Sequence, residues 1–217
     1  LVGETRALAR GWETDITIAV DALVPLQALY PLVERLAELT DTRLRLRAEV
    51  LAGSWECLED GRADLLISSL NPDITLTGIK HQPLQEEVML YVAHPDHPLH
   101  GEPEPLADET LRRYRAIAIA DTARRKPALT YRLLDKQPRL TVSTMGEKRD
   151  ALLAGIGVGT MPLSWIEEDI KAGRLKVIGP EYRHQVQVVL AWRRDTMGKA
   201  KSWLVREIPK LFPCKGE

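Results

Sequence analysis

The chain has 217 residues, with 30 Lys and Arg against 31 Asp and Glu and a net charge of -1, so it lacks the basic excess of a free-standing nucleic-acid binder. Hydrophobic residues at 44% and charged residues at 28% exclude a disordered or fibrous chain. The length suits two small lobes of about 100 residues each, and no apolar run approaches the roughly 18 residues of a membrane span.

The segment Asp15 to Val20 (DITIAV) is short, β-branched and apolar and reads as a strand. Pro25 and Pro31 then bracket the start of a helix carrying Leu32, Val33, Leu36 and Leu39. Leu44, Leu46, Ala48 and Val50 alternate with Arg43, Arg45, Arg47 and Glu49, the period of a half-buried strand. A helix is expected over Trp55 to Asp60, closed by Gly61, and Ala63 to Ser68 (ADLLIS) is a run of the kind buried inside a parallel sheet, ended by Asn71 and Pro72. Strands alternating with helices in this order predict βαβ units and an open sheet.

Glu87 to Ala93 reads as a further strand, and Pro95, Pro98, Pro103 and Pro105 mark a rigid connector. A second lobe is expected after it, with strands at Ala116 to Ala120 and Arg139 to Ser143. Helices are predicted after Thr122, over Glu147 to Ala154 and over Leu163 to Lys171. Leu175 to Ile178 reads as a short strand, and Val186 to Trp192 as a long strand that crosses back. Trp203, Leu204 and Ile208 place a last helix over Lys199 to Leu211 against the first lobe.

The cysteines Cys57 and Cys214 are far apart and lack metal-type spacing, which points to free thiols in the reducing cytoplasm. The first fourteen residues hold no signal-peptide core, and the start at Leu1 suggests that a further N-terminal portion precedes the chain; a lost signal peptide would look the same. Gly155, Gly157 and Gly159 suggest a dinucleotide loop, but Thr160 stands where the third glycine belongs and the cluster follows a helix. It reads better as a helix end before a buried strand.

His94, His97 and His100 recur every three residues, yet Pro95 and Pro98 oppose the helix that would align them on zinc, so a solvated turn is expected and no metal site. No G-x-S-x-G elbow occurs, and neither cysteine has a nearby histidine. The carboxylate pairs Glu86 and Glu87, and Glu167 and Glu168, read as exposed and solubilising. The residues thus point to no enzyme and no cofactor.

Small polar residues instead recur at predicted strand ends: Asp21 with Ala22, Gly53 with Ser54, Ser68 with Ser69, Asp121 with Thr122, and Ser143 with Thr144. In open α/β sheets ligands bind outside the carboxyl ends of strands, where helix N-termini offer free N–H groups. The same residue types also simply cap helices.

DITIAV, GRADLLIS, VMLYVAHPDHPL, the Ser143 to Pro162 stretch ending GIGVGTMP, AGRLKVI and VVLAWRRD occur in this order. Together they resemble the C-terminal effector-binding domains of LysR-type transcriptional regulators, from Asp15 to Asp195. The resemblance implies an α/β fold of two Rossmann-like lobes joined by two crossover segments, similar to type 2 periplasmic binding proteins. Residues 1–14 would end a linker helix, 15–92 plus 188–217 would form one lobe, and 93–187 the other.

It further implies a small-molecule effector between the lobes, self-association as a dimer or tetramer, and DNA contact only through a winged helix-turn-helix domain N-terminal to this chain, with no membrane partner. Carried over by position, the effector contacts would be Asp21, Ala22, Leu23, Gly53, Ser54, Ser68, Ser69, Asp121, Thr122, Ser143, Thr144 and Met161. Many members place Ser or Thr within Ala22 to Val24, where this chain is apolar, which widens the expected ligand from a carboxylate to an aromatic compound. A transport-type solute-binding protein is the alternative on the same fold.

Overall fold

The computed structural model describes residues 11–70, 77–129, 132–195 and 197–212. The linker helix expected before Thr14, the strand end at Asn71 and Pro72, and Cys214 lie wholly or mainly outside them. The chain divides into two compact units: one holds the residues up to Glu86, Thr122–Pro127, and those from Gln187 on; the other holds Glu87–Asp121 and Ala128–Val186.

In the first unit β1 (Asp15–Asp21) lies between β2 (Arg43–Glu49) and β3 (Leu65–Ser69), parallel to both, and β9 (His184–Arg193) runs antiparallel to β3. Side chains alternate across a strand. Ile16, Ile18 and Val20 therefore enter one core with Leu29, Leu32, Leu36, Leu65, Ile67, Leu190 and Leu204. Ala19 and Leu66 face the other way into a second core with Trp55, Cys57, Leu58 and Val189. Helix α1 (Tyr30–Ala37) and helix α6 (Lys199–Glu207) supply the first face, and α2 (Ala52–Glu59) the second.

Two charged contacts seat these helices. Glu13 accepts the N–H groups of Ala200 (2.8 Å) and Lys201 (3.3 Å) at the start of α6, where the free donors and positive end of a helix favour a carboxylate. Arg35 of α1 pairs with Glu207 of α6 at 2.5 Å.

The second unit holds the outer half of β4 (Ile79–Ala93), then β7 (Val158–Pro162), β5 (Ala116–Ile119) and β6 (Arg139–Val142). β5 is parallel to β6 and β7, β4 is antiparallel to β7, and the short β8 (Lys176–Val177) pairs with β4. Around this sheet lie α3 (Asp108–Leu111), α4 (Met145–Leu153) and α5 (Leu163–Lys171). Asp169 of α5 is wholly buried, and its carboxylate accepts hydrogen bonds from Arg149 of α4 (2.6 and 2.9 Å) and Arg174 (2.8 Å), which hold its pKa down against burial.

Three expectations need correction. No helix follows Thr122: the N–H groups of Arg124, Arg125 and Lys126 donate to the Glu56 carboxylate, so they cannot serve the i→i−4 ladder, and Pro127 has no N–H to give. Glu87 is buried rather than exposed, its carboxylate accepting the N–H groups of Val88 (2.9 Å) and Ser164 (3.5 Å). The helix expected from Trp55 begins earlier, at Ala52.

Gly157 and Gly159 sit where β7 meets β5. A Cβ at Gly157 would clash with the Arg115 carbonyl, and one at Gly159 would stand 3.0 Å from the Ile117 carbonyl. Close strand packing accounts for these glycines without a nucleotide. The rings of His94 and His97 accept the N–H groups of Asp96 (3.2 Å) and Leu99 (3.1 Å), while His100 reaches the His94 carbonyl at 3.1 Å, so the histidines organise their own turn.

Candidate functional site

In the first unit the parallel strands end at Asp21, Glu49 and Ser69, beside the start of α2. Asp21 is buried, and its carboxylate is fully engaged. It accepts from Leu23 N (3.0 Å), Leu51 N (3.0 Å) and Ser54 Oγ (2.6 Å), and Ser68 adds a further hydroxyl. Burial pushes its pKa up more than these bonds hold it down. Asp21, Ser54 and Ser68 are thus brought together, with a carboxylate at the centre that organises the loop into α2. Ala22 and Leu23 are half-buried beside it, and the Ser69 carbonyl accepts the Trp55 indole N–H at 3.1 Å.

That loop includes Leu51 at φ 53 and ψ -124, a left-handed conformation costly for a residue with a Cβ. The bond from its N–H to Asp21 helps hold it there. Gly53 is covered by Thr122, whose Oγ1 accepts the Val50 N–H at 2.9 Å.

Beneath this ledge lies a charged cluster that the sequence reading missed. Glu56 is fully buried and accepts the N–H groups of Arg124 (2.9 Å), Arg125 (3.0 Å) and Lys126 (3.0 Å). These backbone bonds hold its pKa down to about 2. Arg62 lies 3.3 Å from Glu56 and 3.7 Å from the buried Glu49, and Glu49 also pairs with Arg47. Trp55, Cys57 and Leu58 flank Glu56 in sequence, an apolar setting for a carboxylate that could have marked it.

In the second unit β5 and β6 deliver Asp121, Ser143 and Thr144 to one sheet edge. Asp121 accepts the Leu129 N–H at 2.7 Å. Thr144 caps α4: its hydroxyl accepts the Glu147 N–H at 3.2 Å, and the Glu147 carboxylate accepts the N–H groups of Ser143 (2.9 Å) and Thr144 (3.0 Å). Ser143 and Thr144 remain exposed, whereas Met161 is fully buried in β7.

Lys148 of α4 is also buried, only 7% exposed, and burial lowers its pKa to about 8. The sequence carried a signal for it: Met145, Lys148, Ala151 and Leu152 share the helical spacing of an inward face.

The chain as a whole is similar to known proteins. The family model described as LysR substrate binding domain matches residues 9–212. The chain is 54% identical to the probable HTH-type transcriptional regulator YhaJ of Escherichia coli (strain K12), across 99% of this chain and 72% of that protein. It is 32% identical to the uncharacterized HTH-type transcriptional regulator YeeY of the same strain, across 93% of this chain and 66% of YeeY. Among solved structures, full-length LysG of Corynebacterium glutamicum with bound effector Arg superposes with a TM-score of 0.72 at 18% identity, covering 97% and 72% of the two chains. The regulatory domain of HypT from Salmonella typhimurium, bromide-bound, gives 0.64 at 17% identity, covering 91% and 94%. The two-lobed α/β architecture similar to type 2 periplasmic binding proteins is thereby the fold of this chain as well.

Proposed function

The chain belongs to the LysR substrate-binding domain family, the ligand-sensing part of transcriptional regulators, and from that premise we propose how it works. It binds a small organic acid or aromatic compound at the carboxyl ends of its strands and makes or breaks no bond in it. The lobes are 15–92 with 188–217, and 93–187. Contacts come from Leu23, Ser69, Ser143 and Thr144, with Asp21, Ser54 and Ser68 shaping the ledge and Gly53, Asp121, Thr122 and Met161 supporting it. The observation that carries this reading is the match of residues 9–212 to a ligand-binding family on a chain whose strand ends present small polar residues at helix starts.

The ligand acts by differential affinity: it populates the arrangement it binds more tightly, and coupling to an N-terminal helix-turn-helix segment alters DNA contact. Self-association as a dimer or tetramer and residence in the cytoplasm follow from the same family reading. Among the described residues no helix is long and apolar enough to cross a membrane.

A thermal-shift screen against small carboxylates, aromatic compounds and amino acids, with ligand recovery afterwards, tests the proposal. Saturable stabilisation with the ligand recovered unchanged is expected. Consumption of the ligand would overturn the non-catalytic reading, and absence of any stabilising compound from such a panel would count against small-molecule sensing.

A further inference from the structure

The parallel strands of the first unit have two ends, and only the carboxyl ends carry the ledge built around Asp21. At the amino ends Asp15 of β1 pairs with Arg43 of β2. Trp12 comes just before Asp15 and Leu39 just before Arg43, so both stand at this opposite end. Strands of 7 residues, rising about 3.3 Å per residue, put roughly 20 Å between the two ends.

At the amino ends α6 presents Lys199, Ser202, Trp203 and Arg206, whose spacing is that of one helix face, while Ala200, Lys201, Leu204 and Glu207 turn inward. Together with Trp12, Leu39 and Met197 that face lines a cavity of about 640 Å³. Sites for small molecules span roughly 300–1,000 Å³ and combine apolar walls with a few polar groups. The Trp12 and Trp203 indoles are half-buried against the first core, and the Arg35 guanidinium, itself paired with Glu207, lies 5.4 Å from the centre of the Trp203 ring. Leu39 and Met197 are large apolar side chains left 50% and 40% exposed.

The start of α6 offers this cavity no free N–H donors. The Lys199 N–H donates to the Gly11 carbonyl (2.9 Å), those of Ala200 and Lys201 to Glu13, and that of Ser202 to the Gly198 carbonyl (3.0 Å). A Cβ on Gly198 would collide with the Glu13 carboxylate, so the glycine is what lets that carboxylate reach the helix. Charge in the cavity therefore comes from side chains. Among the described residues its lining holds Lys199 and Arg206 and no Asp or Glu. Neither cation has a carboxylate partner among the described residues, whereas Arg35, Lys201 and Lys210 are paired with Glu207 and Asp195.

We propose that this cavity is a second binding site, for a planar aromatic anion whose ring packs on Trp12, Trp203, Leu39 and Met197 and whose charge is met by Lys199 and Arg206. Such a ligand uses both halves of the lining, whereas an uncharged ring uses only the apolar half and a bare ion only the cations. The site is separated from the effector ledge by the length of the strands and does not depend on it.

The test is a two-dimensional ¹H–¹⁵N NMR titration of the 217-residue chain with naphthalene-2-sulfonate and uncharged naphthalene-2-carboxamide, read at the indole N–H signals. Trp12 and Trp203 report the cavity, and Trp55, whose indole donates to the Ser69 carbonyl, reports the carboxyl ends of the strands. The sulfonate is expected to move the Trp12 and Trp203 signals saturably, and the carboxamide to bind at least tenfold more weakly. The double variant Lys199→Gln, Arg206→Gln changes two exposed side chains; it is expected to weaken the sulfonate at least tenfold and to leave the carboxamide unchanged.

Trp12 and Trp203 signals that ignore the sulfonate, or a double variant that binds it as wild type does, overturn the site. Movement of Trp55 alone puts the anion at the carboxyl ends, which removes this site and leaves the sensor. Movement of Trp12 and Trp203 with Trp55 still supports this site whatever becomes of the sensor. Signals of Trp12 and Trp203 that shift on dilution of the protein alone show a second copy seated in the cavity and overturn the proposal.

Discussion

Thr122 lies so closely over Gly53 that a Cβ on the glycine would stand inside the contact distance of Thr122 Oγ1 and 2.6 Å from the Ala123 nitrogen. The glycine is needed for close approach, because its φ is ordinary. Gly53→Ala must displace Thr122–Pro127 or tilt α2, and overpacking of this kind costs about 3 kcal/mol. Urea denaturation of the variant is the check, and a loss below about 0.5 kcal/mol would show that the segment moves aside freely.

Glu56 anchors that same segment through three N–H groups, and its pKa falls from 4.5 to about 2. A depressed carboxylate contributes stability that is fully present above the unfolded value and is lost as pH falls through the folded one. Wild type should therefore lose this contribution between about pH 4.5 and pH 2. Glu56→Gln, which accepts through one oxygen only, should be less stable at neutral pH and converge on wild type in acid. Parallel stability curves from pH 7 to pH 2 would contradict the assignment.

Leu51 holds a backbone conformation suited to glycine. Leu51→Gly and Leu51→Ala both remove the side chain, but only glycine relieves the strain, so Leu51→Gly should be the more stable of the two by about 1–2 kcal/mol. Thermal unfolding of the pair measures the difference directly. Equal stabilities would mean that the loop relaxes when the leucine is lost.

Burial takes the Lys148 pKa from 10.5 to about 8, which corresponds to about 3 kcal/mol against keeping the charge inside. The unfolded chain holds this proton more tightly, so the penalty is complete below about pH 8 and fades as pH rises toward 10.5. Lys148→Met should consequently be more stable than wild type at pH 7, with the gain shrinking at high pH. A variant less stable than wild type at every pH would reveal a stabilising partner for the ammonium.

The order of elements was legible in the sequence because each is written in local chemistry. DITIAV alternates between two cores, ADLLIS is apolar enough for a buried strand, and Thr144 with Glu147 spells a capping box before α4. The family could be read for the same reason, since its motifs are these strand ends and turns in fixed order. The individual strand-end residues were legible only as positions. Asp21, Ser54 and Ser68 meet in one hydrogen-bonded cluster, and Gly53 meets Thr122, through pairings more than a dozen residues apart that periodicity does not encode.

Tertiary structure alone decided where the charges went. In sequence Glu56 and Lys148 are marked only by the apolar residues that share their helix faces, which name no partner, and Thr122–Pro127 reads as the start of a helix. Folding brings a carboxylate under three backbone donors and so turns a predicted helix into an anchored strap. It also buries Lys148 against the sheet with no hydrogen-bonding or ion-pairing partner among the described residues. Local propensity is a matter of tenths of a kcal/mol per residue, whereas an unmatched buried group costs several, so the location of each partner outweighs what the neighbouring residues prefer.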